Sequence, residues 1–516
     1  MARDGAAAPR GKPQCWSGAR APGSLGFRRS RWRRQGGWHH GEMHEVLIDS
    51  VPLQRLGRLL SSERAERLEA AARSAGTLLQ GRVVWNVNAT AQGGGVAEML
   101  QALLAYGRGA GIDTRWRVLD ADPEFFTITK RLHNMLHGSP GDGGALGEVE
   151  RRHYLEVTQA NLAAAADLVK PGDIVLLHDP QTAGMVAGLQ DRGAYVVWRC
   201  HIGADTATPV TEAGWAFLRE FVEPADAVIF SRIEYVPEWV PHDKAWVIPP
   251  SLDPFSAKNA DLTDADVAAA LRAAQVVDVG HDGGSLSFSR RDGSQGVVRR
   301  HSGLVLDGGP VPGNARVVLQ VSRWDRLKDM TGVLAGFAKH VDELPHDVHL
   351  LLVGPEVSGV SDDPEGAEVL ASCRDLWKSL PDGVRNRIHL CCLPMDDVDE
   401  NAHLVNALQR RATVVVQKSL VEGFGLTVTE PMWKGKPVVA SAVGGIRDQI
   451  QDGVSGILLD DPANLDDMID AVGGLLSDPV RAASLGAAAH LRVLDRFLGD
   501  RHLVQYGQLF AKLIDP

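Results

Sequence analysis

Two carboxylates, Glu422 and Glu430, are separated by seven residues in SLVEGFGLTVTEPMWKG (419–435), with Gly423, Phe424 and Gly425 between them. A solvated helix would tolerate both charges but would not carry two glycines in its middle. Carboxylates accept hydrogen bonds from sugar hydroxyls, and two of them flanking a turn can hold two different rings. A cationic pair, Arg323 and Lys328, stands five residues apart in VSRWDRLKD (321–329). Guanidinium and ammonium groups at a strand end suit a diphosphate and offset charge that builds on a departing phosphate. Asp325, Arg326 and Asp329 lie alongside, so a solvated charge cluster competes with that reading. A third candidate is NATAQGGGVAEML (88–100), where Gly93, Gly94 and Gly95 precede an apolar-striped run. Amides at a helix N-terminus favour an anion such as phosphate, although a flexible turn would look the same. Asp120 at the end of the next strand raises a dehydrogenase alternative, but the spacing GxGxxG is absent.

These residues need elements to position them. ATVVVQKS (412–419) reads as a buried strand, VEGFG as a turn and LTVTEPMWKG as the following helix. Glu422 then sits at the strand's end and Glu430 one turn into the helix. From about residue 80, short apolar runs alternate with helical patterns: 82–88, 114–120, 173–179, 194–200 and 226–230 read as strands. Val96, Met99, Leu100, Leu103 and Leu104 form one helical stripe. WVIPPSLDP (246–254) breaks the rhythm as an interdomain crossing, and the Gly/Ser-rich zone 276–313 reads as an insertion or mobile hairpin. A second series follows at 315–323, 346–354, 387–393, 412–419 and 436–445, and residues 480–514 are helical by pattern. The fold class is α/β, with two Rossmann-like halves that hold ligands where the carboxyl ends of their strands meet.

Composition limits the function. The chain has 516 residues, 44% of them apolar, which suits a globular protein of several domains. A net charge of −11 argues against a general nucleic-acid binder. Five cysteines, without zinc-like spacing or a disulfide pattern, point to a reducing cytoplasm. No apolar run approaches the roughly 20 residues needed to span a bilayer. Residues 1–42 carry nine Lys/Arg against two Asp/Glu with no apolar export segment. They read as a disordered basic tail, with Met43 opening the folded chain; a basic arm touching nucleic acid or membrane is the alternative. No metal is expected, because no DxD-like carboxylate pair stands in a suitable loop, and no cofactor is expected either.

EGFGLTVTE fits the E-x7-E signature of retaining family-4 glycosyltransferases, which have the two-lobed GT-B fold. NATAQGGGVAEML, DPEFFTITKRLHNMLHG, LLHDPQTAGM, VVWRCHI, PPSLDP and VSRWDRLKD narrow the likeness. With EGFGLTVTEPMWKGKPV they make residues 80–500 resemble the trehalose glycosyltransferring synthases, while fungal-type retaining trehalose phosphorylases share much of the pattern. Outside the resemblance lie the basic tail at 1–42 and the 276–313 insertion; the expected division is that tail, an acceptor domain at 43–250, a linker with the insertion at 251–313, a nucleotide-sugar domain at 314–480 and crossing helices at 481–516. A C-terminal helix should pack back toward the N-terminal domain.

By the same resemblance Glu430 binds the nucleotide ribose, and Glu422 contacts hydroxyls of the donor glucose beside the amides of Phe424, Gly425 and Leu426. Arg323 and Lys328 grip the diphosphate with the Gly93–Gly95 loop near it. His201 lies at the reacting centre, and Asp179 and the pair His133 and Asn134 belong to the acceptor side. Family members often have Asp directly after the His-Ile that matches His201 and Ile202, whereas here Gly203 and Ala204 precede Asp205. The implied reaction moves glucose from ADP-, UDP- or GDP-glucose to free glucose, giving α,α-trehalose, reversibly. Phosphorolysis of trehalose, a catalytically silent sugar-nucleotide sensor and a homodimeric assembly stay open.

Overall fold

Continuous apolar runs suit strands buried on both faces, which is how parallel strands sit when helices cover both sides of a sheet. The structure, a computed structural model, describes residues 43–91, 94–278, 280, 283–357 and 365–515. Its first sheet contains β1 (His44–Val46), β2 (Val84–Asn88), β3 (Thr114–Val118), β4 (Ile174–His178), β5 (Tyr195–Cys200), β6 (Ala227–Phe230) and β7 (Ala245–Val247). The strand order is β1-β3-β2-β4-β5-β6-β7, parallel except where β1 pairs antiparallel with β3. Both β2 and β4 are buried at every position.

Five short strands come next: β8 (Val277–Asp278), β9 (Ser287–Ser289), β10 (Gln295–Val297), β11 (Val305–Asp307) and β12 (Val311–Pro312). The second sheet then takes β13 (Arg316–Val321), β14 (Val348–Pro355), β15 (Ile388–Leu393), β16 (Val414–Gln417), β17 (Val438–Ser441) and β18 (Ile457–Leu459). Its order is β11-β15-β14-β13-β16-β17-β18, with β11 antiparallel at the edge. The direction of winding reverses between β2 and β4 in the first sheet, and between β13 and β16 in the second. Such reversals leave a crevice at the carboxyl ends of the two strands. All of the candidate loops follow one of these four strands or a neighbour. This is the GT-B arrangement.

The C-terminal helices tie the lobes together. The helix Pro479–Arg496 packs on Leu426–Trp433, and the helix Gly499–Ile514 crosses back onto Ser62–Leu78 of the first lobe. Tyr506, Leu509 and Phe510 join a core cluster with Ile174, Leu176 and Val197. Arg64 donates to both carboxylate oxygens of Asp500, at 2.9 and 2.8 Å.

The 276–313 zone differs from expectation in one respect. Its β9–β10 hairpin is fastened down: Arg290 pairs with Asp397 and Arg291 with Asp399, at 2.6 and 2.7 Å. Arg299 pairs with Asp396 and with the fully buried Glu400, and Phe288 stacks on His403 at 4.9 Å. Gly/Ser content suggested a loose segment; the charge complementarity that holds it lies about a hundred residues away in sequence.

Candidate active site

The turn after β13 is shaped by Asp325, whose carboxylate accepts from the Leu327 amide at 2.8 Å and from Arg323 Nη2 at 3.3 Å. Burial pushes the Asp325 pKa up, but Arg323, Lys328 and Lys130 more than offset this and hold it below the ordinary value. Lys130 reaches that turn from the other lobe, on the helix Pro123–Leu136. Lys328 is fixed at both ends. Its carbonyl accepts from Gln320 Nε2 at 2.7 Å, and its Nζ lies 2.5 Å from Glu422 Oε2. Ser419 donates to the same oxygen at 3.2 Å.

The Glu422 loop follows β16 and packs too tightly for side chains at its glycines. Gly425 has φ +87°, and at Gly444 a Cβ would stand 1.7 Å from the Glu422 carbonyl. Phe424 is buried, edge-on to Phe497 at 5.8 Å. Gly425 caps the helix Leu426–Trp433, which carries Glu430 inward: that side chain is buried and accepts from Gln409 Nε2 at 3.1 Å. Lys258 Nζ lies 3.5 Å from its other oxygen.

From the first lobe, the loop after β2 meets this one. Gly94 has φ +92° and caps the helix Gly95–Gly109; a Cβ at Gly95 would fall 2.9 Å from Leu426 Cδ1. Gly93 lies outside the described residues. At the end of β4, Asp179 takes φ 64° and ψ 177°, a combination that side chains other than hydrogen rarely adopt. Its carboxylate accepts the His201 backbone N–H at 2.7 Å. Burial raises the Asp179 pKa from 3.8 to about 7, against the pull of that amide and of the Arg199 charge.

His201 belongs to a chain of polar groups whose protons can be placed. Asn86 Oδ1 only accepts, so His178 Nε2, 3.0 Å away, carries hydrogen. Burial pushes the His178 pKa down to about 3 and that of His201 well below its ordinary value, so both rings are neutral. His178 Nδ1 is therefore a lone pair, and His201 Nε2 donates to it at 3.2 Å. Nδ1 of His201 is left as an acceptor.

Several contacts hold the lobes in this relation. Tyr235 OH reaches the carbonyls of Glu422 and Gly423 at 3.0 and 2.7 Å. Asp205 pairs with Arg232 and accepts the Gly444 amide at 2.9 Å; Arg232 in turn pairs with Asp448 at 2.7 Å. The carboxylate displaced from the position after His201 and Ile202 thus joins the two lobes. His137, its pKa lowered to about 4 by burial, meets the Gly203 carbonyl at 2.9 Å, and its ring edge-packs with His133 at 4.8 Å.

Short approaches connect the candidate residues: Lys328 to Glu422, Gly95 to Leu426, Gly423 to the His201 carbonyl, and Asp179 to the His201 amide. Sequence reasoning missed Lys130, Lys258, Tyr235 and Asn86. Lys130 sits within the quoted FFTITKRLHN stretch, but the other three carry no local pattern.

Residues 86–237 match the family model described as trehalose synthase, N-terminal domain, and residues 307–492 match glycosyl transferases group 1. A trehalose synthase of Pyrococcus horikoshii is 34% identical over 473 residues, covering 92% of this chain and 99% of the relative. A trehalose phosphorylase of Pleurotus pulmonarius is 28% identical over 418 residues, covering 76% of this chain and 51% of the relative. Among solved structures, an α,α-trehalose-phosphate synthase (UDP-forming) from Burkholderia vietnamiensis superposes with a TM-score of 0.60 at 16% identity, covering 84% of this chain and 98% of that one.

Proposed function

The chain belongs to the trehalose synthase family of glycosyltransferases, and we propose that it moves glucose from a nucleotide-glucose to the anomeric hydroxyl of free glucose. The product is α,α-trehalose, formed with retention. The observation that carries this reading is the pairing of Lys328 with Glu422 between the ends of β13 and β16, in the turn that also carries Arg323, where a Rossmann-like sheet receives a nucleotide. The near-complete overlap with the synthase, against about half of the phosphorylase, supports the same choice.

In this reading residues 43–250 supply the acceptor side, 314–480 the donor side, 251–313 the linker and 481–516 the crossing helices. Arg323, Lys328 and the amides of the glycine loop hold the donor diphosphate. Glu422, with the amides of Phe424, Gly425 and Leu426, orients the donor glucose, and Glu430 takes the ribose. His201 Nδ1 accepts a sugar hydroxyl at the reacting centre, and Asp179 accepts one from the incoming glucose.

The step needs no protein nucleophile. The bond between the anomeric carbon and the phosphate oxygen breaks as the acceptor oxygen bonds to the same face. The acceptor's hydroxyl proton passes to the departing phosphate oxygen. Positive charge on the sugar and negative charge on the diphosphate build together, and the cations beside the diphosphate stabilise the second. Positioning both sugars supplies the rest. The test is incubation with ADP-, UDP- or GDP-glucose and free glucose, followed by NMR of the product: an α,α-1,1 linkage is expected. Consumption of trehalose only with inorganic phosphate, and of no nucleotide sugar, would establish the phosphorylase reaction instead.

A further inference from the structure

Glu430 is one member of a charge cluster that the proposed reaction does not use in full. Lys258 Nζ stands 2.7 and 2.8 Å from the two oxygens of Glu98 and 3.5 Å from Glu430 Oε1. Glu98 lies in the first turn of the helix capped by Gly94, and Glu430 lies on the helix capped by Gly425. One ammonium therefore links the anion-binding end of the first lobe with the candidate ribose carboxylate of the second.

The segment bearing Lys258 is held rigidly. Asn259 accepts Trp433 Nε1 on its carbonyl at 3.1 Å and Lys434 Nζ on its side chain at 3.0 Å, while its own amide donates to the Asp253 carbonyl at 2.9 Å. The second lysine is a poor counter-charge for Glu430: burial lowers the Lys434 pKa to about 7 in spite of that carboxylate. For Lys258 burial acts the same way, yet Glu430 and Glu98 outweigh it and raise its pKa, so it is an ammonium ion.

The spacing around Glu430 is unequal. Its Oε2 is taken by Gln409 at 3.1 Å, whereas the 3.5 Å gap between Oε1 and Lys258 exceeds an ordinary hydrogen bond. A hydroxyl group both donates and accepts, so one hydroxyl can satisfy the carboxylate and the ammonium together. We infer that Lys258 completes a ribose clamp: a ribose hydroxyl of the donor donates to Glu430 Oε1 and accepts from Lys258 Nζ. Glu98, 2.7 and 2.8 Å from the ammonium, holds it beside the first turn of the helix that Gly94 caps. This rests on the reading of Glu430 as the ribose-binding carboxylate and adds to it a residue, its partner and the group they recognise.

The test compares binding of ADP with 3′-deoxy-ADP, and of UDP with 3′-deoxy-UDP, by titration calorimetry to wild type, Lys258→Met, Lys258→Arg and Glu98→Gln. Wild type should prefer the hydroxylated nucleotide by roughly tenfold or more, the worth of one charge-assisted hydrogen bond. In Lys258→Met that preference should fall at least threefold, with partial recovery in Lys258→Arg. Glu98→Gln removes the carboxylate that holds the ammonium and should lower the preference by less than Lys258→Met does; thermal unfolding of each variant controls for folding. A folded Lys258→Met or, should it not fold, a folded Lys258→Ala protein that discriminates as strongly as wild type overturns the clamp while leaving the nucleotide reading intact. A wild type that binds none of these four nucleotides and no GDP overturns both.

Discussion

Lys328 Nζ lies 2.5 Å from Glu422 Oε2, so the cation proposed for the diphosphate and the carboxylate proposed for the sugar neutralise each other. Both side chains are largely buried, at 17% and 10% exposure; Gln320 donates to the Lys328 backbone carbonyl and Ser419 to the Glu422 carboxylate. A lone buried charge would be costly, and the pairing offsets that cost for both groups. In the proposed reaction, donor entry exchanges this ion pair for two contacts: ammonium to phosphate and carboxylate to hydroxyl. Lys328→Ala should lower kcat by about 10²–10³, the usual consequence of losing one preorganised contact to developing charge. Steady-state kinetics with a saturating donor reads this out; an unchanged kcat would place Lys328 outside the reacting centre.

Asp179 predicts a pH dependence. Its pKa rises from 3.8 to about 7 on burial, so the protonated form is favoured in the folded protein. Its contribution to stability is full below the unfolded value and is lost as pH rises through about 7. Acceptor binding runs the other way, because only the carboxylate accepts a sugar hydroxyl with both oxygens. The KM for glucose should therefore fall as pH rises through about 7. Asp179→Asn should flatten that profile, as initial-rate measurements across pH will show.

The same residue sits where glycine is at ease, at φ 64° and ψ 177°, a strain worth roughly 1–3 kcal/mol. Asp179→Gly should raise the unfolding midpoint and abolish acceptor saturation. A calorimetric scan beside an activity assay separates the two effects; a lower midpoint would show that the carboxylate's bond to the His201 amide outweighs the backbone relief.

Asn86 fixes the proton order along His178 and His201 through its 3.0 Å contact. Asn86→Leu removes that acceptor and lets His201 present N–H rather than a lone pair. The expected result is a kcat reduced by about tenfold with the affinity for nucleotide unchanged, since the loss is one hydrogen bond at the sugar. Comparing kcat with the nucleotide Kd from calorimetry checks it.

Arg232 makes ion pairs with Asp205, Glu234 and Asp448 from a side chain only 5% exposed. Because it links the lobes beside Gly444, Arg232→Met should destabilise the fold by about 1.5–3 kcal/mol, the worth of charged hydrogen bonds lost. Denaturant unfolding measures that, and X-ray scattering should show a larger radius of gyration as the cleft opens.

How much of this was legible in the sequence follows from what is local and what is not. IVLLH and YVVWRC announce buried parallel strands because every position is apolar or nearly so, and the strands lie where those runs lie. The edge strands β1, β7, β11 and β18 were not legible: three residues each give no period to read. Glu422 stood out as a candidate by its spacing from Glu430 across a glycine turn, and Arg323 and Lys328 by their type at a strand end. Lys258 did not, because its meaning depends on Glu98, 160 positions earlier, and Glu430, far downstream. The hairpin at 287–297 looked loose for the same reason: the acidic helix start that fastens it is remote in the chain.

Calorimetric titration of the whole protein with nucleoside diphosphates and with inorganic phosphate, for wild type and an Arg323→Ala, Lys328→Ala double variant, tests the central claim most directly. The account predicts that wild type binds at least one of ADP, UDP or GDP and that the double variant loses this binding. A wild type that takes up phosphate but none of the nucleotides would contradict it.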